Sequence, residues 1–472
     1  MKVFITLTTF LLLSALIFTT EAKGGQKPNI VLMFIDDMGY GDIGPFGNTV
    51  NKTPNLDRMA QEGNRLTQFY VSSTLCTPSR AALMTGTYAA RIGMDGTVCF
   101  PNEKRGLNPT EHTIGDAMKS VGYRTGIFGK WHLGDQKEFL PLQNGFDEYF
   151  GIPYSNDMWS ENPKRHRHTD QVYTPLPVIR GNEPVAYVSD GADQSLLCEV
   201  VTDEAIKFIE KNKSRPFFLY LPHVYVHLPR FARLDLASKA DGNVDRAAVE
   251  EVDTSVGRIM DTLKALDIAE NTLFIFTSDN GPARGLSAGP LRGSKGGPKY
   301  EGHMREPTIT WWPGTIPPGK VTETIATSAD ILPSLSKLTG AKLPTDRIID
   351  GKDSLGALLG KPKTKSAHDV LFYEIDGIRR GNWKLVKNAK DKFELYHLKK
   401  DLGETQNLIK NHPDLVKELK SLLDAHANEL AVNTRSPGMV EHSDFLIREP
   451  GNIPKLRDYL GLKNFEAIER AN

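Results

Sequence analysis

Asn29-Ile30-Val31-Leu32-Met33-Phe34-Ile35-Asp36-Asp37 is an apolar run that stops on two adjacent carboxylates. Such a run suits a strand covered on both faces, as in a parallel sheet, because a strand with one wet face would alternate polar and apolar residues. Working outward, the pattern recurs. Residues 123–128 lead into Lys130 and His132, residues 217–221 into His223 and His227, and residues 273–277 into Asp279 and Asn280. Helical stripes lie between them: Leu196, Leu197, Val200, Val201, Ile206 and Ile209 in one, and Val249, Val252, Val256, Ile259, Met260, Leu263 and Leu266 in another. The alternation predicts an α/β fold with a large, mostly parallel sheet flanked by helices. Ligands bind such sheets beyond the carboxyl ends of the strands, so the four polar tips are expected to meet in one crevice.

Past Pro362 the texture changes. Short runs at 369–373, 383–386 and 393–398, separated by turn residues, predict a smaller antiparallel sheet. Leu415, Leu419, Leu422, Leu423 and Leu430 predict a final amphipathic helix covering one of its faces. The expected organisation is a signal peptide over 1–22, a main domain over 23–362, and a C-terminal α+β subdomain and tail over 363–472. The signal reading rests on Lys2, the apolar stretch 10–18 and Thr20-Glu21-Ala22, a small-x-small cleavage site. Ser14 interrupts that stretch and threonines flank it, so it falls short of the roughly 20 residues a membrane span needs. No later segment is long and apolar enough, so the mature chain is expected to lack a transmembrane anchor. Its expected location is secreted or periplasmic, or lysosomal or extracellular in a eukaryote. Asn51-Lys52-Thr53 and Asn212-Lys213-Ser214 are glycosylation sequons that matter only on a eukaryotic route.

Hydrophobic residues at 39% give enough material for a substantial core and exclude a disordered chain. The 58 Lys and Arg balance the 58 Asp and Glu, which argues against a nucleic-acid partner gripped through net charge. Any anion site must be a local pocket. Cys76, Cys99 and Cys198 are too few for a disulfide scaffold, and at least one is unpaired. Cys99 and Cys198 either pair or are simply buried.

The most specific stretch is Cys76-Thr77-Pro78-Ser79-Arg80-Ala81-Ala82-Leu83-Met84-Thr85-Gly86. Pro78 suits the first turn of a helix, which puts Cys76 just before a helix N-terminus, where free N–H groups favour an anion. Arg80, always charged, would lie close by. The stretch resembles the signature of the type I sulfatases, whose Cys-x-Pro-Ser-Arg core is oxidised after synthesis so that the cysteine becomes formylglycine (3-oxoalanine). The resemblance runs from Asn29 to Leu430 with the motifs in the family's order, and is to the arylsulfatase A and N-acetylgalactosamine-6-sulfatase branch. It implies an alkaline-phosphatase-like fold and hydrolysis of sulfate monoesters of a sulfated small molecule or glycan, with a formylglycine-generating maturation enzyme as a partner. The modification has a chemical reason. A serine-like nucleophile would be left as a stable sulfate ester, whereas one hydroxyl of an aldehyde hydrate can attack sulfur and the other can expel sulfate by restoring the C=O.

Carried over residue by residue, the resemblance makes Asp36, Asp37, Asp279 and Asn280 ligands of a divalent ion that also holds the residue derived from Cys76. Their side chains offer only oxygen donors, which favours a hard cation: Ca2+, with Mg2+ as the alternative. Taken singly, Asp36-Asp37 and Asp279-Asn280 would more often be turns. Lys130, within Gly129-Lys130-Trp131-His132-Leu133-Gly134, and Lys295, within Arg292-Gly293-Ser294-Lys295-Gly296, resemble the family's two sulfate-binding lysine segments; residues 300–307 extend the second match. His132 is implied as the base toward the hydrate and His227, with Lys295, as the acid toward the leaving alcohol, while Arg80 stabilises charge and Ser155 contacts substrate. Asn156 stands where some members carry His. His223 and His303 are read as structural. Lys164-Arg165-His166-Arg167-His168 reads as a solvated loop; bordering the crevice, it would attract a polyanionic sulfated glycan. Two other readings remain open: a phosphodiesterase or phosphonate monoester hydrolase of the same superfamily, and a non-catalytic sulfated-glycan-binding protein in which Cys76 stays unmodified. The branch resembled points to a sulfated carbohydrate or glycolipid.

Overall fold

Five parallel strands form the middle of a ten-stranded sheet: β1 (Asn29–Ile35), β2 (Arg124–Lys130), β3 (Glu148–Ile152), β4 (Phe217–Pro222) and β5 (Thr272–Ser278). They lie in the order β5-β1-β4-β2-β3. The strand Thr308–Trp311 joins β5 antiparallel, and Leu176–Arg180 joins β3 antiparallel, so the sheet is parallel at its centre and mixed toward its edges. This is a computed structural model, and it describes residues 27–162, 173–462 and 467–469. The expected signal peptide and the basic run 164–168 lie outside the described residues.

β1 is buried along its whole length because both of its faces are covered. Ile30, Leu32 and Phe34 share one apolar cluster with Ala81, Leu83 and Met84 of helix α1 (Cys76–Thr85). Val31, Met33 and Ile35 point the other way, into a cluster with Val200 and Val201 of α2 (Gly191–Asn212) and Val252 and Val256 of α3 (Val244–Ala265). The last two helices start at side-chain caps: Asp190 accepts from the N–H groups of Ala192 and Asp193, and Asn243 from that of Arg246. Register then levels the strand ends. Ile35 pairs with Ser278, and Phe34 with Pro222, so the residues that follow, Asp36, Asp279 and His223, leave the sheet at one height.

A second sheet, β6 (Val370–Tyr373), β7 (Gly377–Arg380), β8 (Trp383–Lys387) and β9 (Phe393–His397), is antiparallel in chain order. The sequence pattern anticipates three of these strands. β7 escapes it because Gly377-Ile378-Arg379-Arg380 contains one large apolar side chain. Helix α4 (Pro413–Val432) packs Leu419 and Leu423 against Ile378, Leu385 and Leu395. Leu422, expected on the same stripe, lies at its margin and is 36% exposed. The small sheet is tied by buried charge to the segment around Glu301, which precedes the strand Thr308–Trp311: Lys384 Nζ lies 2.9 Å from Glu301 and 3.0 Å from Glu404, while Tyr70 and Tyr373 donate to Glu301.

All three cysteines are free and buried. Cys198 Sγ lies 3.4 Å from His223 Nε2, so Cys99 and Cys198 follow the buried alternative. Of the two sequons, Asn212 is buried with its amide donating to Phe208 O, which removes it as a surface acceptor. Among the described residues no helix is long and apolar enough to cross a membrane.

Candidate active site

Cys76 is the first residue of α1 rather than the residue before it, with Pro78 in the first turn as expected. Its thiol is buried where the strand tips meet. Asp36 Oδ1 lies 3.5 Å from Cys76 Sγ, and Lys295 Nζ lies 3.3 Å from the same sulfur and 2.9 Å from Asp37 Oδ1. Asp37 adopts a left-handed backbone with φ 65°, and its N–H donates to Asp279 Oδ1 at 3.1 Å. Asp36, Asp37, Cys76 and His227 each offer a ligand atom within 4.8 Å of the others, the one such group among the described residues. Asn280 Nδ2 donates to Asp37 Oδ1 at 2.7 Å, while its Oδ1 is buried with no hydrogen-bond partner.

Cations interleave with these carboxylates. Arg80 Nε and Nη2 both donate to Asp279 Oδ2, at 3.1 and 2.8 Å, and Nη1 donates to Lys130 O. Lys130 Nζ donates to Asp36 Oδ2 and, at 3.2 Å, to Ser155 Oγ. Gly129 makes this approach of β2 to β4 feasible: its φ is 135°, and a Cβ there would sit 2.0 Å from Pro222 O. Arg80 and Lys130 are fully buried, whereas the Lys295 side chain is 23% exposed, which leaves it the most open of the three.

Burial opposes every charge here, and neighbours decide the outcome. At Asp36 burial is outweighed by Lys130, His227 and Arg80, so its carboxyl is held well below the usual range. At Asp279 burial and the adjacent Asp36 carboxylate win over Arg80, and the carboxyl is pushed up to about 7. Asp279, Asp36 and Asp37 are nonetheless matched by Arg80, Lys130 and Lys295, so the site is a compact array of alternating charge. Burial and Asp36 also push the Cys76 thiol up, so as a plain cysteine it stays protonated and weakly nucleophilic.

The two histidines differ in what holds them. His132 has φ 61°, and its Nε2 lies 3.1 Å from Cys99 O. A carbonyl only accepts, so Nε2 carries the proton, and Nδ1, buried and without a partner, keeps its lone pair. Thr77, which the sequence reading passes over as the variable position of the Cys-x-Pro-Ser-Arg core, donates to His132 O and accepts from the Cys99 N–H. Burial, then Lys130 and Arg80, lower the His132 pKa well below its ordinary value. His227 Nε2 lies 3.6 Å from Asp37 Oδ2, and burial, then Lys295, lower its pKa. Its Nδ1 meets Asn156 Oδ1 at 3.1 Å, and Ser155 Oγ lies 3.4 Å away. His223 instead meets Cys198, and His303 packs against Gly293 and Tyr300.

These contacts bring together the strand-tip residues, Cys76 and both lysines. Sequence comparison agrees with the geometry. The sulfatase family profile matches residues 28–341, and the profile of the N-sulphoglucosamine sulphohydrolase C-terminal region matches residues 298–429. Arylsulfatase A of Homo sapiens is 35% identical over 476 residues, covering 89% of this chain and 91% of the human protein. N-acetylgalactosamine-6-sulfatase of Canis lupus familiaris is 39% identical over 371 residues, covering 75% and 70%. A solved sulfatase from Pseudoalteromonas sp. superposes with a TM-score of 0.78 at 28% identity, covering 90% of this chain and 93% of that one. The chain belongs to the sulfatase family and is a hydrolase acting on sulfuric ester bonds.

Proposed function

We propose that this sulfatase cleaves sulfate monoesters of a carbohydrate or glycolipid, using a formylglycine formed from Cys76 and a divalent cation, Ca2+ in preference to Mg2+. The observation that carries the reading is the position of Cys76 Sγ: at the start of α1, 3.5 Å from Asp36 and 3.3 Å from Lys295, where carboxylates and cations converge. The carbohydrate part of the reading is supported by similarity to an N-acetylgalactosamine-6-sulfatase.

The donor set fits a hard cation. Asp36, Asp37, Asp279 and Asn280 would hold it, all through oxygen, and the unpartnered Asn280 Oδ1 would gain the partner it lacks. The bound ion would supply Lewis-acid charge next to the nucleophile and the sulfuryl oxygens. An aldehyde hydrate at position 76 would supply one hydroxyl for attack on sulfur and a second whose deprotonation releases sulfate. Cys76 is 1% exposed, so its conversion belongs to the chain before folding, while an exported polypeptide is still accessible to a maturation enzyme.

The chain's own residues then divide the work. Lys295, partly open, and Lys130 balance the charge of the sulfate oxygens. Arg80 has its donors engaged by Asp279 and Lys130 O, so it acts by holding that carboxylate and strand end in place. His132, neutral with a free Nδ1 lone pair, takes the proton from the hydrate as sulfate leaves. His227, once Nε2 has taken up a second ring proton beside the Asp37 carboxylate, gives that proton to the departing alcohol oxygen and returns to the neutral ring, and Ser155 steadies that end of the ester.

The test is turnover by aldehyde-bearing protein of N-acetylgalactosamine 6-sulfate, an aryl sulfate, and the phosphate ester with the same aryl leaving group. Release of sulfate from the sugar and the aryl ester, with the phosphate ester turned over at least about ten-fold less well, a gap of about 1.4 kcal/mol, is the expected result. Preference for the phosphate ester would overturn the reading.

A further inference from the structure

We infer that Asn156, held in turn by Gln194, is a positioning residue that fixes which nitrogen of His227 faces the substrate. The inference rests on the proposed role of His227 as the acid toward the leaving alcohol.

The orientation of both amides follows from backbone carbonyls, which can only accept. Asn156 O accepts from Gln194 Nε2 at 2.8 Å, which assigns Nε2 as the amide nitrogen of Gln194 and leaves Gln194 Oε1 as an acceptor. Pro229 O and Gln194 Oε1 both lie 3.2 Å from Asn156 Nδ2, so that atom is the amide nitrogen of Asn156. Asn156 Oδ1 is then the atom left for His227 Nδ1, at 3.1 Å. It must accept, so Nδ1 carries a proton and Nε2 is the nitrogen turned toward Asp37, at 3.6 Å.

The consequence is chemical. A ring with its Nδ1–H tied to Asn156 exchanges protons only at Nε2, the nitrogen on the side of Cys76 and the carboxylates. Asn156 and Gln194 are fully buried, and Gln194 is tied further by Tyr225, whose hydroxyl donates to Gln194 O at 3.2 Å. The clamp therefore reaches from the loop after β3 through α2 to the loop after β4. Freed from it, the imidazole can turn over or adopt the other tautomer, and the proton is no longer presented to the leaving oxygen.

The experiment compares Asn156→Ala, Gln194→Ala and His227→Ala with wild type on a series of sulfate esters that runs from a good leaving group, 4-nitrophenol, to a poor one, a sugar alcohol. Unfolding midpoints check that each variant is folded. Loss of general-acid help falls on poor leaving groups. For Asn156→Ala, kcat on the sugar sulfate should drop about 10- to 100-fold while kcat on 4-nitrophenyl sulfate drops less than about 3-fold, with KM little changed. Gln194→Ala should shift the same slope by less and stands in should Asn156→Ala fold poorly. Equal losses on both esters, or an unchanged slope in both clamp variants while His227→Ala steepens it, would overturn this inference alone. A His227→Ala slope equal to wild type would remove the acid role of His227 itself, and the clamp's purpose with it.

Discussion

Arg80 and Asp279 form an ion pair in which neither side chain meets solvent, with Nη2 2.8 Å from Oδ2. Removing one partner of a buried pair leaves the other charge uncompensated, at a cost of about 3–5 kcal/mol. Arg80→Met should therefore lower stability by that order as well as abolish activity. Urea unfolding measures it, and a variant as stable as wild type would show that the pair is not what secures Asp279.

The three carboxylates predict a response to chelation. Asp36, Asp37 and Asp279 converge beside an Asn280 Oδ1 that has no hydrogen-bond partner, so a bound cation should tie the strand tips together. EDTA should lower the thermal midpoint and abolish activity, and Ca2+ should restore both better than Mg2+ at equal concentration. A bound ion at 100-fold its dissociation constant contributes about 2.7 kcal/mol, enough to read by calorimetry. A midpoint indifferent to EDTA and to added ions would contradict the cation site.

Lys295 and Lys130 should separate by what else they hold. Lys295→Ala is expected to lower kcat/KM about 10²- to 10³-fold with a smaller loss of stability, since its side chain is 23% exposed and water can reach the Asp37 carboxylate it leaves. Lys130→Ala removes the buried partner of Asp36 and should cost stability as well. Paired kinetic and unfolding measurements decide, and equal destabilisation by both substitutions would contradict the difference.

Away from the site, burial raises the Glu251 carboxyl to about 8, against an ordinary value of 4.5. The folded state thus keeps a proton that the unfolded chain gives up. The stability this contributes is complete below pH 4.5 and is lost as pH rises toward 8, at a slope of up to about 1.4 kcal/mol per pH unit. Glu251→Gln should flatten that alkaline limb. Parallel urea curves for wild type and the variant at pH 5 and pH 8.5 would contradict the assignment.

The centre of the sheet was legible because β1 and its neighbours are buried on both faces and so read as unbroken apolar runs ending in polar residues. The antiparallel edges, and β7 with its single isoleucine, carry no such pattern. In the site, the residues grouped by short motifs, Asp36-Asp37, the Cys76 stretch, Lys130 with His132, and Asp279-Asn280, could be picked out because each pair shares one strand tip or one helix start. The Asn156–Gln194 clamp could not. Its two members are separated by 38 positions, and their orientation depends on the carbonyls of Asn156 and Pro229, which no spacing reveals. Thr77 was hidden for a different reason, since its hydroxyl serves backbone atoms of His132 and Cys99 that come close only in the folded chain.

Mass spectrometry of the peptide bearing Cys76, isolated from a preparation whose sulfate-releasing activity has been measured, tests the account most directly. The expected result is an aldehyde in place of the thiol, trapped by a hydrazine probe, in a fraction of molecules that rises and falls with specific activity. Full activity in protein whose Cys76 alkylates quantitatively as an ordinary thiol would contradict it.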